Sequence, residues 1–275
     1  MFILGGLLVT ATVVVWLSPR LLTHGRWQVL RPRLALTLWH AAFAAGLAAA
    51  VLAVVIAVLH TLAVTQDARG ASVVVTVLGW IALAIVGGAC AMVAVGGGGV
   101  GDASRRNRGA LLALPHSARA LDRRTELRLC ESNEVFACSV PDRRGTIVIT
   151  TGLAALLSPA QLRAVVAHEH AHLTERHHLA MRLADVNSAC IPGNAGARRM
   201  RRATALLIEL IADDRAARTT GAVHLANALV RIADATGDEA MALRAERLSR
   251  RSWRPASRLS PVPALYRSLS GDVVT

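Results

Sequence analysis

The sequence predicts a mainly α protein in two parts. Multi-span membrane helices occupy residues 1–99, and an α+β region with a small sheet and one histidine-rich helix follows. Three observations lead there. Apolar residues make up 53% of the 275-residue chain, with mean hydropathy +0.44, and they are densest before residue 96. Arginines flank those apolar runs. Five of the ten histidines fall between His168 and His178.

The first apolar run is Phe2 to Leu17, near the short limit for a spanning helix. A cleaved leader would need basic residues before the run; here Arg20, Arg26, Arg31 and Arg33 come after it. The second run is Leu34 to about Val64, and the third Ala71 to Val95. The turn TQDARG, 65–70, offsets its one arginine with an aspartate, whereas Arg105, Arg106 and Arg108 follow the third run. Positive charge stays inside. The N-terminus is therefore expected outside, with everything after residue 96 on the cytoplasmic face of a multi-pass plasma-membrane protein. His40 and His60, at or near the ends of the second run, are read as interfacial. The run VGGGGVG, 95–101, lacks a following GK[ST] and reads as a flexible exit rather than a phosphate cradle.

The net charge is +13 and lysine is absent, which excludes a lysine nucleophile or base. The arginines flank spans or are scattered along helices, so the lipid bilayer, not nucleic acid, is the expected partner. Cys90, Cys130, Cys138 and Cys190 form no CxxC pair. Cys90 lies in a span, and the others are expected to be reduced thiols in a cytosolic region.

Residues 100–251 form the expected soluble domain, and 252–275, with Pro255, Pro261 and Pro263, a flexible tail. ELRLCES and NEVFACSV alternate in part, PDRRG (141–145) is a turn, and TIVIT (146–150) is a β-branched strand. A long helix opens at Ser158, with Pro159 in its first position, and runs through AQLRAVVAHEHAHLTERHHLAMRLA. VNSACIPGNAGA interrupts it. A second helix covers about Arg198 to Thr219, a third follows Gly221, and a fourth runs from Asp238 to Arg251.

The chemistry lies in HEHAH, 168–172. Residues four apart share one helix face, so His168 and His172 can grip one metal ion while His170 points away. Glu169, about 100° round the helix, reaches a water at that ion. This is the HExxH pattern of a zinc site with a glutamate base. A third ligand is available in IELIADD, 208–214, where Glu209 and Asp213 share a face among Leu206, Leu207, Leu210 and Ile211. A carboxylate on an apolar face needs a partner. Zn²⁺ provides one for Glu209, and Asp213 can accept the spare N–H of a ligand histidine. The competing partners are Arg202, Arg215 and Arg218. His177 and His178 lie five and six residues past His172, repeat its face poorly, and are read as supporting or surface groups. Arg215, Arg218 and His224 are candidates for stabilising an oxyanion.

At HEHAH, ELIAD and the lead-in TIVITTGLAALLSPAQLRAVVAHE, the chain resembles the BlaR/MecR-type antirepressor family of membrane zinc metallopeptidases. The heat-shock protease HtpX and the CAAX prenyl protease are similar at the same places. The resemblance implies a zincin-like, gluzincin-type fold and a zinc-dependent endopeptidase acting on protein or peptide substrates at the cytoplasmic face. His168, His172 and Glu209 would bind zinc, Glu169 would be the base, and Asp213 would orient a ligand. Substrate would lie extended along NEVFACSV or TIVIT. A DNA-binding repressor is one implied substrate; membrane-protein quality control and a non-catalytic signalling scaffold are the alternatives. About a hundred residues follow His172 without a clear fourth span, so direct antibiotic sensing is not expected.

Overall fold

The computed structural model describes residues 27–64, 94–103, 115–190 and 193–253, with isolated positions between them. The first expected span, most of the third, and the tail beyond residue 253 lie outside the described residues. The chain divides into two compact units, Met1–Ala103 with Met181–Leu207, and Ser104–Ala180 with Ile208–Thr275.

In the first unit, α1 (Trp27–Leu30) leads into the 33-residue α2 (Pro32–Val64). Proline at a helix start loses nothing, because that N–H has no intrahelical acceptor. Ala35 and Trp39 pack with Met200 and Leu207. Nδ1 of His40 donates to the Leu36 carbonyl at 2.9 Å, so this histidine serves its own helix. The side chains of residues 50, 53–54, 57 and 60–64, His60 included, lie outside the described residues. Among the described residues, no helix is long and apolar enough to cross a membrane.

The second unit holds a four-stranded sheet, in order β1-β2-β4-β3. Its strands are β1 (His116–Ala120), β2 (Glu126–Cys130), β3 (Ala137–Val140) and β4 (Thr146–Thr150). The β2–β4 pair is parallel and the other two pairs are antiparallel. β1 is exposed at every position, which is why HSARA carries no alternating apolar signal. β4 is buried throughout, as a continuous β-branched run demands. Ile147 and Ile149 face the main core, while Val148 packs on the other side with Cys130 and Val140. Gly145, at φ 74°, turns the PDRRG loop into β4, and its N–H is held by Asp142.

Thr150 caps α3 (Thr151–Leu156). Gly152 sits against the loop before β3, where a Cβ would fall within 3.0 Å of the Asn133 and Glu134 carbonyl oxygens. Neither is free to yield, because Gly152 N–H is bonded to Ser132 O at 2.8 Å. Gly152→Ala is expected to cost about 1–3 kcal/mol, read as a fall in the thermal midpoint.

Ser158 and Gln161 form a capping box at the start of α4 (Pro159–Thr174), with Pro159 in the first turn as expected. The long helix expected from Ser158 does not run unbroken. It ends at Glu175, and Arg176 takes a left-handed φ of 54° before α5 (His177–Cys190) begins. α6 (Ala195–Thr220), α7 (Ala222–Thr236) and α8 (Glu239–Arg250) follow, with Gly221 and Gly237 between them and Asp238 capping α8. Leu162, Val165 and Val166 of α4 press on the sheet face carrying Leu127, Ile147 and Ile149. On its other side, Ala164 meets Ala216, Ala217, Leu225, Leu229, Ala245 and Leu248. Small side chains at these crossings let the axes approach closely. That closeness sets Glu209 and Asp213 against the histidines of α4.

Candidate metal centre

His168 and His172 stand one turn apart on α4 and aim their Nε2 atoms at the same point, 3.1 Å from each other. Glu209, from α6, faces both. Its Oε2 is 3.3 Å from His168 Nε2, and its Oε1 is 3.5 Å from His172 Nε2. Donors about 2.0–2.1 Å from a tetrahedral ion stand about 3.3–3.4 Å from one another. The separation of the two imidazole nitrogens is close to that, Glu209 turns a different oxygen to each ring, and this triangle of side chains can hold a metal ion. The donor set, two imidazoles and a carboxylate, suits zinc with one position left for water.

Behind this triangle, His168 Nδ1 lies 3.0 Å from Oδ1 of Asp213, which is fully buried. Arg244 of α8 grips Asp213 with two bonds, Nε to Oδ2 at 2.8 Å and a terminal nitrogen to Oδ1 at 2.7 Å. Its other terminal nitrogen reaches Glu209 Oε2 at 2.9 Å. The guanidinium thus ties together the two carboxylates of ExxxD.

Burial opposes charge on His168, but bonds to Asp213 and Glu209 outweigh it and push its pKa up to about 10. Burial, then the charge on His168, push His172 down to about 3. Glu209 is held down at about 2: burial alone would raise it, and the bond and charge of His168 overcome that. Asp213 lies well below the carboxylate range, because Arg244 and His168 overcome its burial. Glu169 is shifted the other way. It is buried, and desolvation raises its pKa above the usual value despite the charge of His168 and a hydrogen bond from Ser139 of β3. A base nearer neutrality is better matched to proton transfer. Burial drives the Cys138 thiol up to about 11, with Glu169 adding to the effect, which makes it a poor nucleophile.

His170 points away, as its spacing requires, and meets Asp122 at 3.1 Å. His177 does not stay at the periphery. It is buried, with Nδ1 3.0 Å from Nδ1 of His172. Of the two strands offered to a substrate, TIVIT is interior, with β2 and β3 on its flanks, so it has no edge to give. β3, the end of NEVFACSV, lies at the sheet edge and carries Ser139 beside Glu169.

A model of peptidase family M48 matches residues 112–251, just over half of the chain. The chain belongs to peptidase family M48. No curated protein and no solved structure matches it. The likeness seen at HEHAH and ELIAD is therefore met at the level of the family, and neither the antirepressor nor the heat-shock type is singled out within it. The M48 match covers β1 to α8 and includes every residue of the triangle. It also includes Arg244, which sequence reasoning missed. ALRAERL resembles any amphipathic arginine-rich helix; the one available clue was that Arg244 shares a face with Met241, Ala245 and Leu248, which belong to the core. Arg215, a candidate oxyanion stabiliser, instead pairs with Glu175 at 3.4 Å.

Proposed function

We propose that this M48 chain is a zinc-dependent endopeptidase held at the membrane, with its catalytic unit on the cytoplasmic side. The observation that carries the zinc reading is the convergence of His168, His172 and Glu209, two imidazoles and a carboxylate that can hold one metal ion. When bound, zinc would supply Lewis-acid polarisation and a water acidic enough to attack at neutral pH. Glu169 would accept a proton from a water molecule as the water oxygen attacks the scissile carbonyl. Glu169 then returns the proton to the amide nitrogen as the C–N bond breaks, and the amine leaves neutral. The free edge of β3 can add a strand of substrate by main-chain hydrogen bonds, with Ser139 placing that strand next to the base.

The membrane reading is supported by the apolar runs and their arginine flanks. It is also supported by exposed Leu47, Val51, Leu52, Val55 and Leu59 along α2, for which lipid is a better solvent than water. Regulatory cleavage of a DNA-binding repressor follows from the antirepressor resemblance. Quality-control proteolysis would use the same chemistry on another substrate, and M48 membership accommodates it.

Elemental analysis of the detergent-purified chain tests the zinc reading. Close to one zinc per chain is expected, lost in His168→Ala; a folded wild type without zinc overturns the proposal. The pH dependence has a definite sign. His172 is already neutral, whereas His168 must surrender the proton that its raised pKa retains. Zinc uptake therefore releases one proton, and affinity should tighten about tenfold per pH unit between neutrality and about pH 9. Competition with a chromophoric chelator across that range measures the slope.

A further inference from the structure

His177 is 3% exposed, and the hydrolytic scheme leaves it without a task. Its Nδ1 is 3.0 Å from Nδ1 of His172. Two ring nitrogens that close share a hydrogen, so one donates and the other accepts. The far side of His172 decides which. His172 Nε2 faces His168 and Glu209, and a nitrogen that binds metal must be bare. A neutral imidazole with a bare Nε2 carries its proton on Nδ1. His172 is therefore the donor and His177 the acceptor. The same logic passes one ring further. His177, bare at Nδ1, carries its proton on Nε2, which faces Glu175 Oε2 at 3.9 Å. Glu175 Oε1 in turn accepts from Arg215 at 3.4 Å.

We propose that His177 is a positioning residue that holds His172 in its metal-binding tautomer and orientation. It does for His172 what Asp213 does for His168. Asp213, gripped by Arg244, stands behind His168, and His177 stands behind His172, with the Glu175 carboxylate 3.9 Å beyond its Nε2. This inference rests on the zinc reading of the same site.

The backbone supplies independent support. On an unbroken helix, His177 would sit about 140° round the axis from His172, out of reach. The break at Glu175 and the left-handed Arg176 bring it back, with ring centroids 4.9 Å apart and planes at 82°. That conformation costs an L residue about 1–2 kcal/mol, and such strain gathers where function requires a geometry. Packing alone does not call for this arrangement, since a leucine would fill the space without choosing a tautomer.

The test compares zinc affinity, by chelator competition, in the full-length wild type, His177→Leu and His177→Gln. Glutamine keeps an oxygen that can accept from His172 Nδ1–H. His177→Leu should bind zinc about 10–100-fold more weakly, the usual loss when a ligand's outer partner is removed. His177→Gln should recover most of that loss. Equal affinity in His177→Leu and wild type overturns the proposal, as does a folded His177→Gln as weak as His177→Leu. Nitrogen-15 spectra of the zinc-loaded wild type give a reading that needs no variant. They should show the proton on Nδ1 of His172 and on Nε2 of His177; a proton on Nδ1 of His177 overturns the assignment. A wild type that binds no zinc rejects the zinc reading, and this inference with it. A zinc-binding wild type indifferent to His177 rejects this inference alone.

Discussion

Glu169→Gln is expected to leave zinc content unchanged and to slow peptide cleavage by about 10²–10⁴-fold, the range over which a positioned acid–base acts. The amide is nearly the same shape as the carboxylate and can still accept from Ser139, so the cleft should keep its form. What it loses is the ability to take a proton from water. The replaced group stands on the helix of His168 and His172 but outside their triangle, which is why metal uptake and turnover separate. Zinc analysis beside a fluorogenic peptide assay reads both. Undiminished turnover would remove Glu169 from the mechanism, and lost zinc would show that it helps to build the site.

Arg244→Leu is expected to destabilise the protein by about 3–5 kcal/mol, the effect of breaking a buried ion pair by deleting one partner. Asp213 has no exposed surface, and Arg244 holds both of its oxygens. Without the guanidinium, the carboxylate would keep His168 beside it but lose both bonds of the fork. Arg244→Lys should rescue little, because an ammonium cannot make the paired bonds of the fork. The pH dependence follows. The depressed pKa of Asp213 contributes stability above the ordinary aspartate range, and that contribution is lost as pH falls through the depressed value. Removing Arg244 brings this acid loss to higher pH. The raised pKa of His168 acts in the opposite sense: in the metal-free protein its contribution is complete below the usual histidine range and is lost as pH rises through about 10. Thermal midpoints of wild type and Arg244→Leu across the acid range measure the difference. An unchanged midpoint would mean that the pair adds nothing to the fold.

Much of the second unit was legible because its signals are local. Ser158 and Pro159 announce the start of α4, Asp238 that of α8, and Gly221 the joint before α7. The spacing of His168 and His172 implies a common face, since four residues nearly complete a turn. The same periodicity turns His170 away, and the structure places it on Asp122. β1 was not legible, because an exposed edge strand without alternation resembles a loop. The break at Glu175 was not legible either, since TERHH contains neither glycine nor proline and nothing in it announces a left-handed arginine.

The sequence by itself determined the chemistry on offer: two imidazoles and a glutamate on one helix, and two carboxylates one turn apart on another. These depend on helical period alone, and a period can be read from a string. Tertiary structure decided the partners. The sequence weighed Arg202, Arg215 and Arg218 for the carboxylates, whereas Arg244 holds them from 31 residues beyond Asp213. It left His177 as either a supporting or a surface group, and a turned backbone decides for the first by bringing it to His172. It offered TIVIT as a strand for substrate, whereas the sheet order buries TIVIT and leaves β3 at the edge. Each of these was settled by how helices and strands pack, through contacts between residues distant in the chain, and no local pattern encodes such contacts.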